Sequence, residues 1–188
     1  MTANRITEKK LKNKRFKRTE DAIITAFSLS REMLSADRLV KLAGISRSTL
    51  HRHHKNVYEI APDYKQYILA KYRRMINRLL KTRHIKLGRI YYKILIFLVA
   101  YRRIIEFLLQ SGNAGLIEEM VTYLSPKIPS THKITNAEIL AIYNKEVSGI
   151  IEHWIAAGFQ KDAISTTVDK ITYLTDTVKT RLAPIVQS

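Results

Sequence analysis

The side chains best equipped for chemistry lie together in the run AGISRSTLHRHHKN, Ala43 to Asn56. Arg47 and Arg52 carry forked donors that fit guanine edges or phosphate oxygens. Ser46, Arg47, Ser48 and Thr49 stand where a helix would begin, and free backbone N–H groups there also attract phosphate. His51 and His53 extend the polar face, and Lys55 follows in the next loop. Three histidines at 51, 53 and 54 raise the question of a metal. Residues at i and i+2 diverge on a helix and no carboxylate flanks them, so DNA-facing or capping roles are expected instead. The chain has no glycine-rich phosphate loop, no nucleophile motif and no close carboxylate pair on a shared face. No enzyme activity, catalytic residue, metal or cofactor is expected.

The surrounding pattern supplies helices to hold these groups. Ser35 precedes a short helix with Leu39, Val40 and Ala43 turned inward, and Gly44 closes it where the chain must pass through positive φ. Ser46 then caps a third helix whose Leu50 points back to the core. Two short helices with a glycine between them suit a helix-turn-helix, whose second helix offers its first residues to the major groove. Ahead of them, Thr19 with Glu20 and Asp21 is expected to open helix one, with Ile23, Ile24 and Phe27 as its apolar stripe. Residues 1–18 form a basic arm in which Lys9, Lys10, Lys12, Lys14, Arg15, Lys17 and Arg18 cluster with almost no apolar residue.

Residues 19–60 resemble the DNA-binding domain of the TetR family of bacterial regulators. The likeness runs through Leu39, Ala43, Gly44, Ile45, Ser46, Thr49, Leu50 and His53, followed by a loop and a long helix. It implies a three-helix DNA-binding domain, a helical C-terminal domain for dimerisation and ligand, and repression relieved by a small molecule. The DNA-contacting set expected on this footing is Arg18, Ser35, Ser46, Arg47, Ser48, Thr49, His51, Arg52, His53 and Lys55. Some positions depart from the family pattern. A phosphate-contacting tyrosine is His51 here, and a phenylalanine is replaced near His54. The lysine common at the start of helix four is Val57, and the usual small residue of the recognition helix is Ser48.

Charge divides the chain. Net charge is +17, with 14 basic and 6 acidic residues in 1–60, 12 and 2 in 61–110, and 7 and 8 in 111–188. A basic front and a neutral back point to a polyanion for one part and something else for the other. Asn56 and Glu59 have capping-box spacing and open a long helix through about Lys81, with Pro62 inside the pattern. A single helix is expected from about Arg89 to Gln110, apolar nearly all round. Its Tyr91, Tyr92, Phe97, Tyr101, Arg103 and Phe107 are candidate lining for an effector pocket; its cations either meet an anionic ligand or snorkel to water. A loop is expected over Ser125 to Ile134. Thr135 and Glu138 then have capping-box spacing before an apolar face through Ile139, Tyr143, Ile150 and Trp154. The last helix, from Asp162, carries Ile164, Ile171 and Val178. These two faces suit a homodimer interface, and equally the core of one bundle.

The expectation is an all-α protein: arm 1–18, three-helix helix-turn-helix domain 19–60, and helical dimerisation and effector bundle 61–188. The leading function is a cytoplasmic, homodimeric regulator that binds double-stranded DNA at a palindromic operator and responds to a small-molecule effector. The alternatives are a structural, sequence-indifferent DNA-binding protein and a regulator whose C-terminal bundle recruits a protein. The N-terminus lacks the apolar core of a signal peptide and Ile94 to Tyr101 is too short to span a bilayer, so no membrane partner is expected.

Overall fold

The structure is a computed structural model and describes residues 6, 10, 13–30, 34–82, 84–128 and 136–182, with backbone alone at 179, 181 and 182. The protein is all-helical, with no strand among the described residues. Two compact units account for the chain: Met1–Lys71 with Tyr101–Ala114, and Tyr72–Ala100 with Gly115–Ser188. No described helix is long and apolar enough to cross a membrane.

In the first unit, α1 spans Lys14–Leu29 and buries Ile23, Ile24, Ala26 and Phe27. It begins five residues before the expected Thr19. The Asn13 side chain accepts from the backbone N–H of Arg15 at 2.9 Å and of Phe16 at 3.2 Å, satisfying donors that would otherwise be orphaned. Thr19 is an interior residue whose hydroxyl donates to the Arg15 carbonyl. Of the expected basic arm, Lys14, Arg15, Lys17 and Arg18 therefore stand on the first turns of α1, while Lys9 and Lys12 lie outside the described residues. Helices α2 (Ala36–Ala43) and α3 (Arg47–His53) follow, and α1 packs on α2, which packs on α3.

A 3-10 turn at Val57–Glu59, opened by the Asn56 side chain accepting from the Glu59 N–H at 3.0 Å, leads into α4 (Ile60–Leu79). Pro62 sits in the first helical turn, where a missing N–H costs no intrahelical bond. Helix α4 belongs to the first unit up to Lys71 and to the second from Tyr72.

The expected single helix over 89–110 is two: α5 (Leu87–Ala100) and α6 (Arg102–Gln110), parted at Tyr101. The two pieces serve different cores. Helix α5 buries Ile90, Tyr91, Ile94, Leu95, Phe97 and Leu98 in the second unit, whereas α6 buries Ile105, Phe107 and Leu108 in the first, packing on α1. Phe107 meets Phe27 at 4.8 Å and Tyr64 edge-on at 6.0 Å between ring centroids. Tyr101 is held by its own unit, with its ring edge-on to Tyr67 and the Lys71 ammonium 5.9 Å from the ring centre.

The second unit continues with α7 (Leu116–Leu124), a 3-10 turn at Ser125–Lys127, α8 (Ala137–Ala156), a 3-10 turn at Lys161–Ala163 and α9 (Ile164–Leu182). Helix α9 packs on α5 and α8, and α8 packs on α7. The cap of α8 is Asn136, whose side chain accepts from the Glu138 and Ile139 N–H groups; the expected capping Thr135 lies outside the described residues, as do 129–134 of the expected loop. Gly158, at φ +89°, follows α8.

Candidate nucleic-acid interface

The α2–α3 pair is set by three local devices. Ser35 caps α2, accepting from the Arg38 N–H at 3.3 Å. Gly44 stands at φ +63°, ψ +34°, and the Ile45 N–H returns to the Val40 carbonyl at 3.0 Å, which ends α2 and turns the chain. Ser46 caps α3 by accepting from the Thr49 N–H at 3.1 Å. Leu39 and Leu50 are both fully buried, so one face of each short helix is fixed inward.

The opposite face of α3 is polar and open. Ser46, Arg47, Ser48, His51 and Arg52 are exposed, with Thr49 half-buried among them. Their hydroxyls and cations are interlinked. Ser46 Oγ lies 2.9 Å from both Ser48 Oγ and Thr49 Oγ1, and an Arg52 terminal nitrogen donates to Thr49 Oγ1 at 3.1 Å. Arg47 is paired with Asp37 of α2, its Nε donating at 2.7 Å. His51 Nδ1 sits 3.1 Å from the Lys55 carbonyl, closing the end of α3. Arg18 and Lys55 are exposed as well. Tyr58, in the turn before α4, is 74% exposed and was not singled out by the sequence; an aromatic residue beside a capping Asn56 gives no distinguishing signal.

His53 does not belong to this face. It is buried, stacked on Phe16 at 4.2 Å, and its Nδ1 lies 2.6 Å from Glu20 Oε1. The expectation that it contacts DNA is corrected accordingly: its α3 position faces α1, where a buried carboxylate waits. Glu20 is the centre of a polar knot. His54 Nε2 approaches its Oε2 at 3.2 Å, the Tyr64 hydroxyl donates to Oε2 at 2.6 Å, and His54 Nδ1 reaches Asp63 Oδ2 at 3.2 Å. Burial pushes the Glu20 carboxyl up, but donors on His54, Tyr64 and His53 outweigh it and hold the group below its ordinary value. Burial, and then the negative Glu20, push the Tyr64 hydroxyl well up, so it remains a donor. The knot joins α1, α3 and α4 and fixes how α3 is seated. Its signal was present in the sequence: Glu20 shares the helical stripe of Ile23, Ile24 and Phe27, a carboxylate on a face that otherwise goes inward.

The candidate effector residues are divided between the units. Tyr91, Tyr92 and Phe97 belong to the second, Tyr101, Arg103 and Phe107 to the first. Phe97 is packed edge-on against Tyr72, Phe107 fills the first unit's core, and Tyr92 and Arg103 are exposed. Tyr91 is buried with its hydroxyl 3.2 Å from that of Tyr143, which lies 2.9 Å from Thr175 Oγ1. Burial pushes both phenols up and keeps them neutral. Next to Tyr143 in the chain, the buried Asn144 Oδ1 has no hydrogen-bond partner among the described residues.

Of the residues expected at a dimer interface, Tyr143, Trp154, Ile164 and Ile171 are buried within the second unit itself, and Ile139, Ile150 and Val178 are half-buried. Among the described residues, the large apolar side chains that α8 and α9 leave exposed are Ile142, at 62%, and Tyr173, at 76%. No protein-family model and no curated protein matches this chain.

Proposed function

We propose that the protein is a sequence-specific DNA-binding transcriptional regulator of the TetR type, a cytoplasmic homodimer that acts as a repressor released by a small-molecule ligand. The observation that carries this reading is the α2–Gly44–α3 unit. Two short helices meet at a left-handed glycine, Leu39 and Leu50 anchor them inward, and α3 turns Arg47, Ser48, His51 and Arg52 to solvent. A helix of that kind, held by buried contacts on one side and lined with donors on the other, fits the major groove. Arg47 and Arg52 read base edges, while Arg18, Lys55 and the hydroxyls of Ser35 and Ser46 meet phosphates. The outward Ile142 and Tyr173 on the two terminal helices supply apolar surface for a second copy.

Selection of bound sequences from randomised duplexes tests the reading. The wild type should enrich a palindrome whose half-sites lie about one helical turn or a little more apart. Arg47→Ala should relax one base position in each half-site. Enrichment of no palindrome would overturn the proposal in favour of a structural, sequence-indifferent DNA-binding protein.

A further inference from the structure

Between Asp63 and Glu106 the sequence carries twelve Lys and Arg and no carboxylate at all. This stretch lies outside the α2–α3 pair, and the reading of α3 makes no use of it. Most of it falls in the second unit, along the end of α4, the turn after it and the first half of α5. On α4 the outward positions include Arg74 and Arg78, with Lys81 just beyond the helix end. On α5 they are Arg89, Tyr92, Lys93 and Ile96, an i, i+3, i+4, i+7 stripe. The inward positions of α5 are apolar, so the helix presents its cations on one side only.

Arg73 reaches Glu119 at 3.5 Å and lies over Tyr123. Among the described residues, Arg78, Lys81, Lys86, Arg89 and Lys93 have no ion-pair partner. Like charges one helical turn apart repel, and the repulsion is relieved when an external polyanion supplies the missing charge. We propose that the α4–α5 junction is a second, sequence-indifferent surface for the phosphate backbone of duplex DNA, distinct from α3. The choice of polyanion rests on the reading of the protein as a DNA binder. An anionic bilayer fits less well, because the stripe offers only Tyr92 and Ile96, 44% and 38% exposed, as apolar surface to insert.

The test uses the full-length protein, a random-sequence duplex and a salt titration. Each phosphate contact contributes about 0.9 to the slope of log K against log salt. The triple variant Arg78→Gln, Lys86→Gln, Arg89→Gln should flatten that slope by about 2 to 3 and weaken binding to every duplex alike, while the bases enriched in selection stay unchanged. The control triple Lys145→Gln, Lys161→Gln, Lys170→Gln removes the same charge from exposed positions on α8, the 3-10 turn and α9, and should leave the slope in place. Thermal melts of both triples should match the wild type, and the single variants Lys86→Gln and Arg89→Gln should each flatten the slope by about 0.9. Equal flattening by the two triples would reduce the effect to net charge and overturn the proposal. So would an unchanged duplex slope combined with lost binding to phosphatidylserine vesicles. If the wild type still selects a palindrome in either case, the junction surface falls alone; if it binds no duplex at all, both readings fall.

Discussion

His53 Nδ1 and Glu20 Oε1 lie 2.6 Å apart in the interior of the first unit, tying the last residue of α3 to the middle of α1. Glu20 also receives the Tyr64 hydroxyl and His54, so its removal leaves three buried donors without their acceptor. Glu20→Ala should destabilise the protein by about 3–5 kcal/mol, because each buried donor left without an acceptor costs about 1–3 kcal/mol. Tyr64→Phe should cost about 1–2 kcal/mol. Urea unfolding at neutral pH measures both.

The same carboxylate makes stability pH-dependent in a definite direction. Its folded pKa is lowered relative to the ordinary 4.5. The stabilising contribution is therefore fully present above 4.5 and is lost as the pH falls through the folded value. The difference in unfolding free energy between the wild type and Glu20→Gln should shrink as the pH falls below 4.5. A difference that grew in acid would mean that the carboxylate is not held in its charged form.

Arg47 and Asp37 join α2 to α3 at the surface, each side chain 66% exposed. A guanidinium steadied by a neighbouring carboxylate is pre-aimed, and the carboxylate also repels phosphates it does not match. On the proposed reading, Arg47→Ala costs about 1–3 kcal/mol on the preferred duplex. Asp37→Ala should tighten binding to random duplexes and narrow the gap between preferred and random sequence. His53→Ala should lower stability while leaving the enriched bases as they were. Competition binding on the selected and scrambled duplexes separates the three.

Gly44 has space around it, since a Cβ there would meet nothing within 4 Å. Any cost of Gly44→Ala is thus conformational, arising from φ +63°, and should be about 1–2 kcal/mol. Chemical denaturation checks it. A neutral result would mean that the α2–α3 turn relaxes to another geometry, and DNA selection should then change with it.

On the proposed reading, a second copy covers Ile142 and Tyr173. Sedimentation of the wild type should give about twice 21.8 kDa. Ile142→Glu and Tyr173→Glu should shift the protein to monomer with little loss of helix by circular dichroism. Ile171→Glu is a poor probe of assembly, because Ile171 is fully buried and the change should unfold the chain. A wild-type monomer at high micromolar concentration would rule the dimer out.

The local grammar of the first unit was readable. Ser35, Gly44 and Ser46 bound α2 and α3 as their residue types require, and Leu39 and Leu50 went inward. What misled was any position whose role depends on a distant partner. His53 is polar and adjacent to Arg52, so it reads as outward until Glu20, 33 residues earlier, is placed beside it. The family resemblance puts an apolar residue near His54, and here that buried place is taken by a histidine made tolerable by Glu20 and Asp63. The break at Tyr101 had no proline or glycine to announce it, because it reflects two halves of one apolar run being needed in two cores. Helix α1 began early because an asparagine outside the apolar pattern proved the better cap.

Phe107 packs between Phe27 and Tyr64, so the hydrophobic interior of the first unit is completed by a helix that ends only at Gln110. During synthesis, the amino-terminal helices emerge long before that piece exists. At roughly 5–20 residues per second, the ribosome adds the 46 residues from Lys65 to Gln110 over some seconds, with Phe27 and Tyr64 lacking their eventual neighbour. A fragment cut after the third or fourth helix would inherit that vacancy permanently, exposing aromatic surface to aggregation. Isolating the amino-terminal helices of this unit therefore calls for grafting α6 back onto them through a new linker, since a simple truncation leaves their interior open.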